Sequence, residues 1–139
     1  MVKYRKAILQ DEQKVFGLAK KLATSFVVNE KDFKNIYSPL LEDENVDLFV
    51  AELESKLIGY VLAFHHYTFY ANGLISWVEE LYVDEEYRGN NVGKGLMQLI
   101  KDAAKKRNTK LIALATRRAS KFYEAIGYEK SATYYKKTI

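Results

Sequence analysis

The residues best suited to chemistry lie in one stretch, Glu79-Glu80-Leu81-Tyr82-Val83-Asp84-Glu85-Glu86-Tyr87-Arg88-Gly89-Asn90-Asn91-Val92-Gly93-Lys94-Gly95. It begins with an acidic pair at a strand-like run. Neighbouring strand residues point to opposite faces, so one of Glu79 and Glu80 can face a site and relay a proton while the other meets solvent or attracts a cation. The second half has the outline of an anion site: a strand ends, Gly and Asn permit positive φ, and a helix opens with unpaired backbone N–H groups. Gly93 and Gly95 would let a phosphate approach the backbone, and Arg88 and Lys94 add positive charge. Asn90 or Asn91 would cap the helix or take the left-handed conformation. A plain turn with two packing glycines has the same composition. A P-loop would need Gly-Lys-Ser/Thr, and a dinucleotide fingerprint would need an early parallel βαβ unit; neither is present.

Two further groups are candidates. His65 and His66, the only histidines, sit in an aromatic run with Phe64, Tyr67, Phe69 and Tyr70. They read as hydrogen-bonded histidines beside a pocket in preference to metal ligands, and no metal is expected. Arg117, Arg118 and Lys121 form a basic cluster that would meet phosphates or an anionic acceptor, or else lie on a solvated helix start.

The elements that must hold these residues follow from periodicity. Val2 to Ile8 reads as a strand, with Asp11 as a helix cap before the three- and four-residue spacing of Val15, Leu18, Ala19 and Leu22. A second helix runs from Lys31 to Leu41. Asp47 to Leu53 and Leu57 to Phe64 read as a hairpin turned by Glu54-Ser55-Lys56, the second strand extending toward Phe69. After an Ala71-Asn72-Gly73 turn, Leu74 to Val83 is a third consecutive strand. A helix spans Val92 to Lys106, Leu111 to Ala115 is a buried strand, Ala119 to Ile126 a short helix stopped by Gly127, and Thr133 to Lys137 a closing strand. The order is β-α-α-β-β-β-α-β-α-β around a mixed sheet, with one domain over residues 1–139.

Composition narrows the function classes. The 139 residues are 48% hydrophobic and 29% charged, and no stretch approaches the ~20 apolar residues of a membrane span. With no cysteine, disulfides, a thiol nucleophile and cysteine metal sites are excluded, and a cytoplasmic location is the default expectation. The net charge of +4 is concentrated in Lys101 to Lys110 and Arg117 to Lys121, and a polyanionic small ligand accounts for it as well as nucleic acid does. Without an aromatic-basic platform, nucleic acid is not expected as a partner.

Arg88, Gly89, Asn90, Asn91, Val92 and Gly93 resemble the acetyl-CoA-binding pattern of the GNAT acetyltransferase family: Arg or Gln, two residues, Gly, one residue, Gly or Ala. Asn91 stands where that pattern has glycine. The late segment Ala119-Ser120-Lys121-Phe122-Tyr123-Glu124-Ala125-Ile126-Gly127-Tyr128 is similar to the family's second motif, and the resemblance extends over nearly the whole chain. It implies a GNAT fold of class α/β (α+β), with a mixed, mostly antiparallel sheet flanked by helices. The strand Leu81 to Val83 would splay from Leu111 to Ala115, near a bulge at Glu79 or Glu80, and take the pantetheine arm on the backbone of Leu81 and Val83. Leu81, Tyr82, Val83, Arg88, Gly89, Asn90, Asn91, Val92, Gly93 and Lys94 would hold acetyl-CoA. The resemblance further implies direct attack by an amine, Tyr123 as proton donor to the sulfur and, from similarity to diamine acetyltransferases, Glu79 in preference to Glu80 as base. Small-molecule acceptors are expected, either diamines and polyamines or aminoalkylphosphonates and amino acids. The alternatives are a protein N-terminal or lysine acetyltransferase and a CoA-binding sensor. A homodimer built on the Tyr134-Tyr135 strand is also open.

Overall fold

The computed structural model describes all residues, 1–139. In chain order it comprises β1 (Lys3–Lys6), a single 3-10 turn (Leu9–Asp11), α1 (Glu12–Leu22), α2 (Glu30–Glu42), β2 (Val46–Leu53), β3 (Lys56–Thr68), β4 (Gly73–Val83), a second 3-10 turn (Glu85–Tyr87), α3 (Val92–Lys106), β5 (Leu111–Leu114) and α4 (Ser120–Ala125). The strands lie side by side in sequence order. β1 to β4 are antiparallel and β5 runs parallel to β4. No helix is long and apolar enough to cross a membrane.

Each face of the sheet buries its own apolar layer. On one, Val15, Leu18 and Ala19 of α1 and Tyr37 of α2 pack on Val46, Leu48, Val50, Tyr60, Leu62 and Tyr82. On the other, Val92, Leu96, Met97 and Ile100 of α3 and Tyr123 of α4 pack on Phe49, Ala51, Val61, Ala63 and Val78. The alternation along β2 and β3 dictates this split, and each fully buried Leu or Ile contributes roughly 1.5–3 kcal/mol. The β2–β3 connection is tighter than the sequence suggests: only Glu54 and Ser55 turn the chain, at φ 49° and 66°. Two successive positive φ values match the right-handed twist of the strands.

Asp11 does not cap α1 with its side chain. It accepts from the Ile8 amide at 2.9 Å and from both terminal nitrogens of Arg5 at 2.7 and 3.0 Å, which ties β1 to the first helix. α2 starts where Asn29 accepts from the Asp32 amide at 2.9 Å, and it continues past Pro39 to Glu42.

The expected closing strand is absent. Thr133 to Lys137 pairs with no strand, and residues 129–139 are exposed. Two tyrosines followed by two lysines give this segment no apolar face to bury, and β5 offers an edge of only four residues. The tail is fastened instead through Lys136 Nζ, which donates to Ser25 Oγ at 2.8 Å.

Gly95 also departs from expectation. A Cβ there would overlap the ring of Tyr4 on β1, so its missing side chain seats that ring against α3 and not a phosphate. Gly95→Ala is therefore expected to cost about 1–3 kcal/mol by overpacking. That lowers Tm by roughly 3–10 °C, to be read by differential scanning calorimetry.

Candidate active site

The site is organised by an irregularity in β4. Leu62 of β3 pairs with Glu80 while Ala63 pairs with Val78, so Glu79 is an extra residue, a β-bulge. The bulge reverses the alternation. Val78 faces α3, and so do Leu81 and Val83, whereas Tyr82 joins the α1–α2 layer. Pairing with β5 ends at Val78–Leu114, leaving the last part of β4 unpaired on that side. The Asp84 amide donates to Ile58 O at 2.7 Å. Because hydrogen-bonded pairs alternate, Tyr82 and Glu80 are the next residues to bond to β3, and the N–H and C=O groups of Leu81 and Val83 face the gap toward β5. The splay and the bulge that the family resemblance implied are both present.

At the end of that gap, the amides from Gly89 through Lys94 have no hydrogen-bond partner in the protein; the first helical bond of α3 is Gly95 N to Asn91 O, 3.0 Å. Asn91 sits at φ 63°, ψ 16° and makes no side-chain cap, so it supplies the left-handed turn that the family pattern gives to glycine. A run of free amides at the start of a four-turn helix, flanked by Lys94, is a cradle for linked phosphates. Arg88 braces the strand end: its Nε donates to Val83 O at 2.8 Å and its guanidinium lies 5.3 Å from the Tyr82 ring centroid. Gly93 faces Phe122, whose ring would be 3.2 Å from a Cβ. Its bareness therefore lets α4 pack against the turn and brings in the neighbouring Tyr123.

Tyr123 is buried, edge-on to Phe122 and Tyr128 at 4.9 and 5.9 Å between centroids. Burial, with a contribution from Tyr128, pushes its hydroxyl up to about 12, so it keeps its proton at neutral pH. That hydroxyl has no partner in the protein, yet no side-chain oxygen is both fully enclosed and unpartnered, so it opens to solvent.

The acidic pair separates as the strand geometry requires. Glu79, in the bulge, is exposed, its Oε2 3.4 Å from Trp77 Nε1. Glu80 is half-buried and accepts at Oε1 from the Tyr60 hydroxyl at 2.6 Å. Burial raises the Glu80 pKa, the Tyr60 bond opposes this, and the charge of Glu79 adds to the rise. Tyr60 drew no attention in the sequence. The trace that marks it is the three-residue interval from Val78 to Leu81, which breaks the two-residue period and rotates Glu80 toward the Tyr60 layer.

His65 and His66 do not act together. His66 is exposed, while His65 is sealed between Asp47 Oδ2 (2.8 Å from Nε2) and Ser76 Oγ (2.7 Å from Nδ1), with Ser76 3.1 Å from Thr109. Asp, His and Ser in this order perform acyl transfer on other folds. Here Ser76 is 0% exposed and meets no substrate, so the chain of bonds clamps β2, β3, β4 and the α3–β5 turn together. Burial would raise the Asp47 pKa, but the His65 bond and the Arg107 charge hold it below the usual carboxylate range. Arg117 and Arg118, just before α4, and Lys121, in its first turn, are exposed.

Comparison with known proteins agrees with this geometry. Residues 44–130 match the family model described as "Acetyltransferase (GNAT) domain". An "Uncharacterized N-acetyltransferase" of Archaeoglobus fulgidus is 28% identical over 68% of this chain and 67% of its own length. A "Probable N-acetyltransferase camello" of Xenopus tropicalis is 31% identical over 79% of this chain, which spans half of the frog protein. Among solved structures, glucosamine-6-phosphate N-acetyltransferase from Arabidopsis thaliana superposes with a TM-score of 0.88 at 21% identity, covering 99% of this chain and 98% of its own. A "predicted acetyltransferase with acetyl-CoA" from Clostridium acetobutylicum gives 0.84 at 19% identity, covering 99% and 96%. The chain belongs to the GNAT acetyltransferase family and is an acetyl-CoA-dependent acyltransferase.

Proposed function

We propose that this protein transfers an acetyl group from acetyl-CoA to a primary amine of a small molecule by direct attack of the neutral nitrogen. The observation that carries the reading is the run of unpartnered amides from Gly89 to Lys94 at the open end of the β4–β5 gap. Those amides would receive the pyrophosphate, and the free N–H and C=O of Leu81 with the N–H of Val83, whose carbonyl Arg88 holds, would receive the pantetheine arm as an added strand. Bound there, acetyl-CoA supplies an activated thioester and a thiol leaving group.

The chain's own residues supply the proton handling. Glu80 takes the proton that the nitrogen loses, since its raised pKa makes it a stronger base than an exposed carboxylate. Tyr123 offers the sulfur a hydrogen bond as negative charge builds there, and the proton lost by nitrogen balances the one gained by sulfur. Glu79, exposed beside Glu80, adds negative charge that favours a cationic acceptor. A diamine or polyamine fits this better than an aminoalkylphosphonate, which Glu79 would repel.

Thiol release from acetyl-CoA against a panel of diamines, polyamines, aminoalkylphosphonates, amino acids and peptides tests the reading. Turnover with small cationic amines is expected. Turnover confined to peptides would replace the reading with a protein-modifying enzyme, and CoA binding without turnover on any amine would replace it with a sensor.

A further inference from the structure

Tyr60 is 1% exposed, in the apolar layer that includes Val15, Leu18, Val50, Leu62 and Tyr82. Phenylalanine would fill that space without burying a hydroxyl, and a buried hydroxyl is costly unless it is bonded. Its one partner is Glu80 Oε1 at 2.6 Å, reached diagonally from β3 to β4. The other carboxylate oxygen, Oε2, makes no bond within the protein and is not enclosed. The carboxylate is thus anchored at one oxygen and open at the other.

The geometry points to Tyr60 as the positioning residue for Glu80: its hydroxyl occupies Oε1, fixes the carboxylate's orientation, and leaves Oε2 for the acceptor amine. This rests on the assignment of Glu80 as the base. Few other charges bear on the pair. Glu79 lies on the same strand, and Tyr82 beside Tyr60. α1 and α2 turn Val15, Leu18, Ala19 and Tyr37 toward this layer, and the Tyr37 hydroxyl donates to Ile8 O. Lys21 of α1 is held by Asp84 at 3.1 Å.

The sign of the effect follows. Burial and Glu79 both push the Glu80 carboxyl toward its neutral form, and the Tyr60 bond opposes them. Without the hydroxyl, Glu80 is protonated over a wider acidic range and cannot accept the amine's proton there.

The test compares the wild type, Tyr60→Phe, Glu80→Gln and Glu80→Asp as full-length protein. In protein labelled with ¹³Cδ-glutamate, the signal missing from Glu80→Gln identifies Glu80. In Tyr60→Phe that signal should titrate at higher pH, and kcat at pH 6 should fall about tenfold while KM for acetyl-CoA stays within about twofold. A Glu80 midpoint and pH profile superimposable on those of the wild type would overturn the inference. Should Tyr60→Phe fail to fold, Glu80→Asp withdraws the carboxylate by one methylene with Tyr60 intact. A comparable loss of kcat is then expected, and unchanged kcat would overturn the inference. Failure of the underlying reading looks different, because wild-type turnover by Glu80→Gln removes Glu80 as the base whatever Tyr60 does.

Discussion

Tyr123→Phe is expected to lower kcat by about two orders of magnitude while leaving the Kd for acetyl-CoA within about twofold. The ring is what the fold uses: it fills the layer between α3 and the sheet and meets Phe122 and Tyr128 edge-on, and phenylalanine keeps all of that. The hydroxyl is what the fold does not use, since nothing in the protein accepts from it and it opens outward. Losing it should therefore cost chemistry and not stability. Thiol release measures kcat and calorimetry measures Kd; an unchanged kcat would remove Tyr123 from the reaction.

Leu81→Pro separates the backbone's two roles. The Leu81 amide faces away from β3, so proline there removes no hydrogen bond of the sheet, as at an edge strand. It does remove a donor to the pantetheine arm and puts a ring into the gap beyond Val78–Leu114. The lost hydrogen bond alone is worth about 1 kcal/mol. With the ring's bulk added, CoA affinity should fall by at least about tenfold with the circular dichroism spectrum unchanged. Wild-type affinity would mean that this stretch of backbone is not the binding strand.

The parts of the fold and of the site were unequally legible in the sequence. The free amides at the start of α3 could be read directly, because Gly89, Asn90, Asn91 and Gly93 interrupt an otherwise periodic chain, and Asn91 does adopt the positive φ expected of Asn or Gly. The sheet order from β2 to β4 was equally accessible, since period-two runs separated by short turns admit few pairings. The roles of the glycines were not: whether Gly95 faces a phosphate or Tyr4 depends on where β1 lies, and no local pattern carries that. The orientation of Glu79 and Glu80 was hidden for a similar reason. One inserted residue inverts every side chain that follows it, so Glu80 turns toward Tyr60 and Glu79 toward solvent. Tyr134 and Tyr135 misled in the opposite sense. Their strand propensity is real, but a strand forms only where an edge and an apolar face await it.

The most direct measurement is a crystal structure of the complex with coenzyme A. The account predicts pyrophosphate oxygens about 3 Å from amide nitrogens between Gly89 and Lys94, with the pantetheine arm alongside Leu81 and Val83. Coenzyme A bound elsewhere, with those amides facing only water, would contradict it.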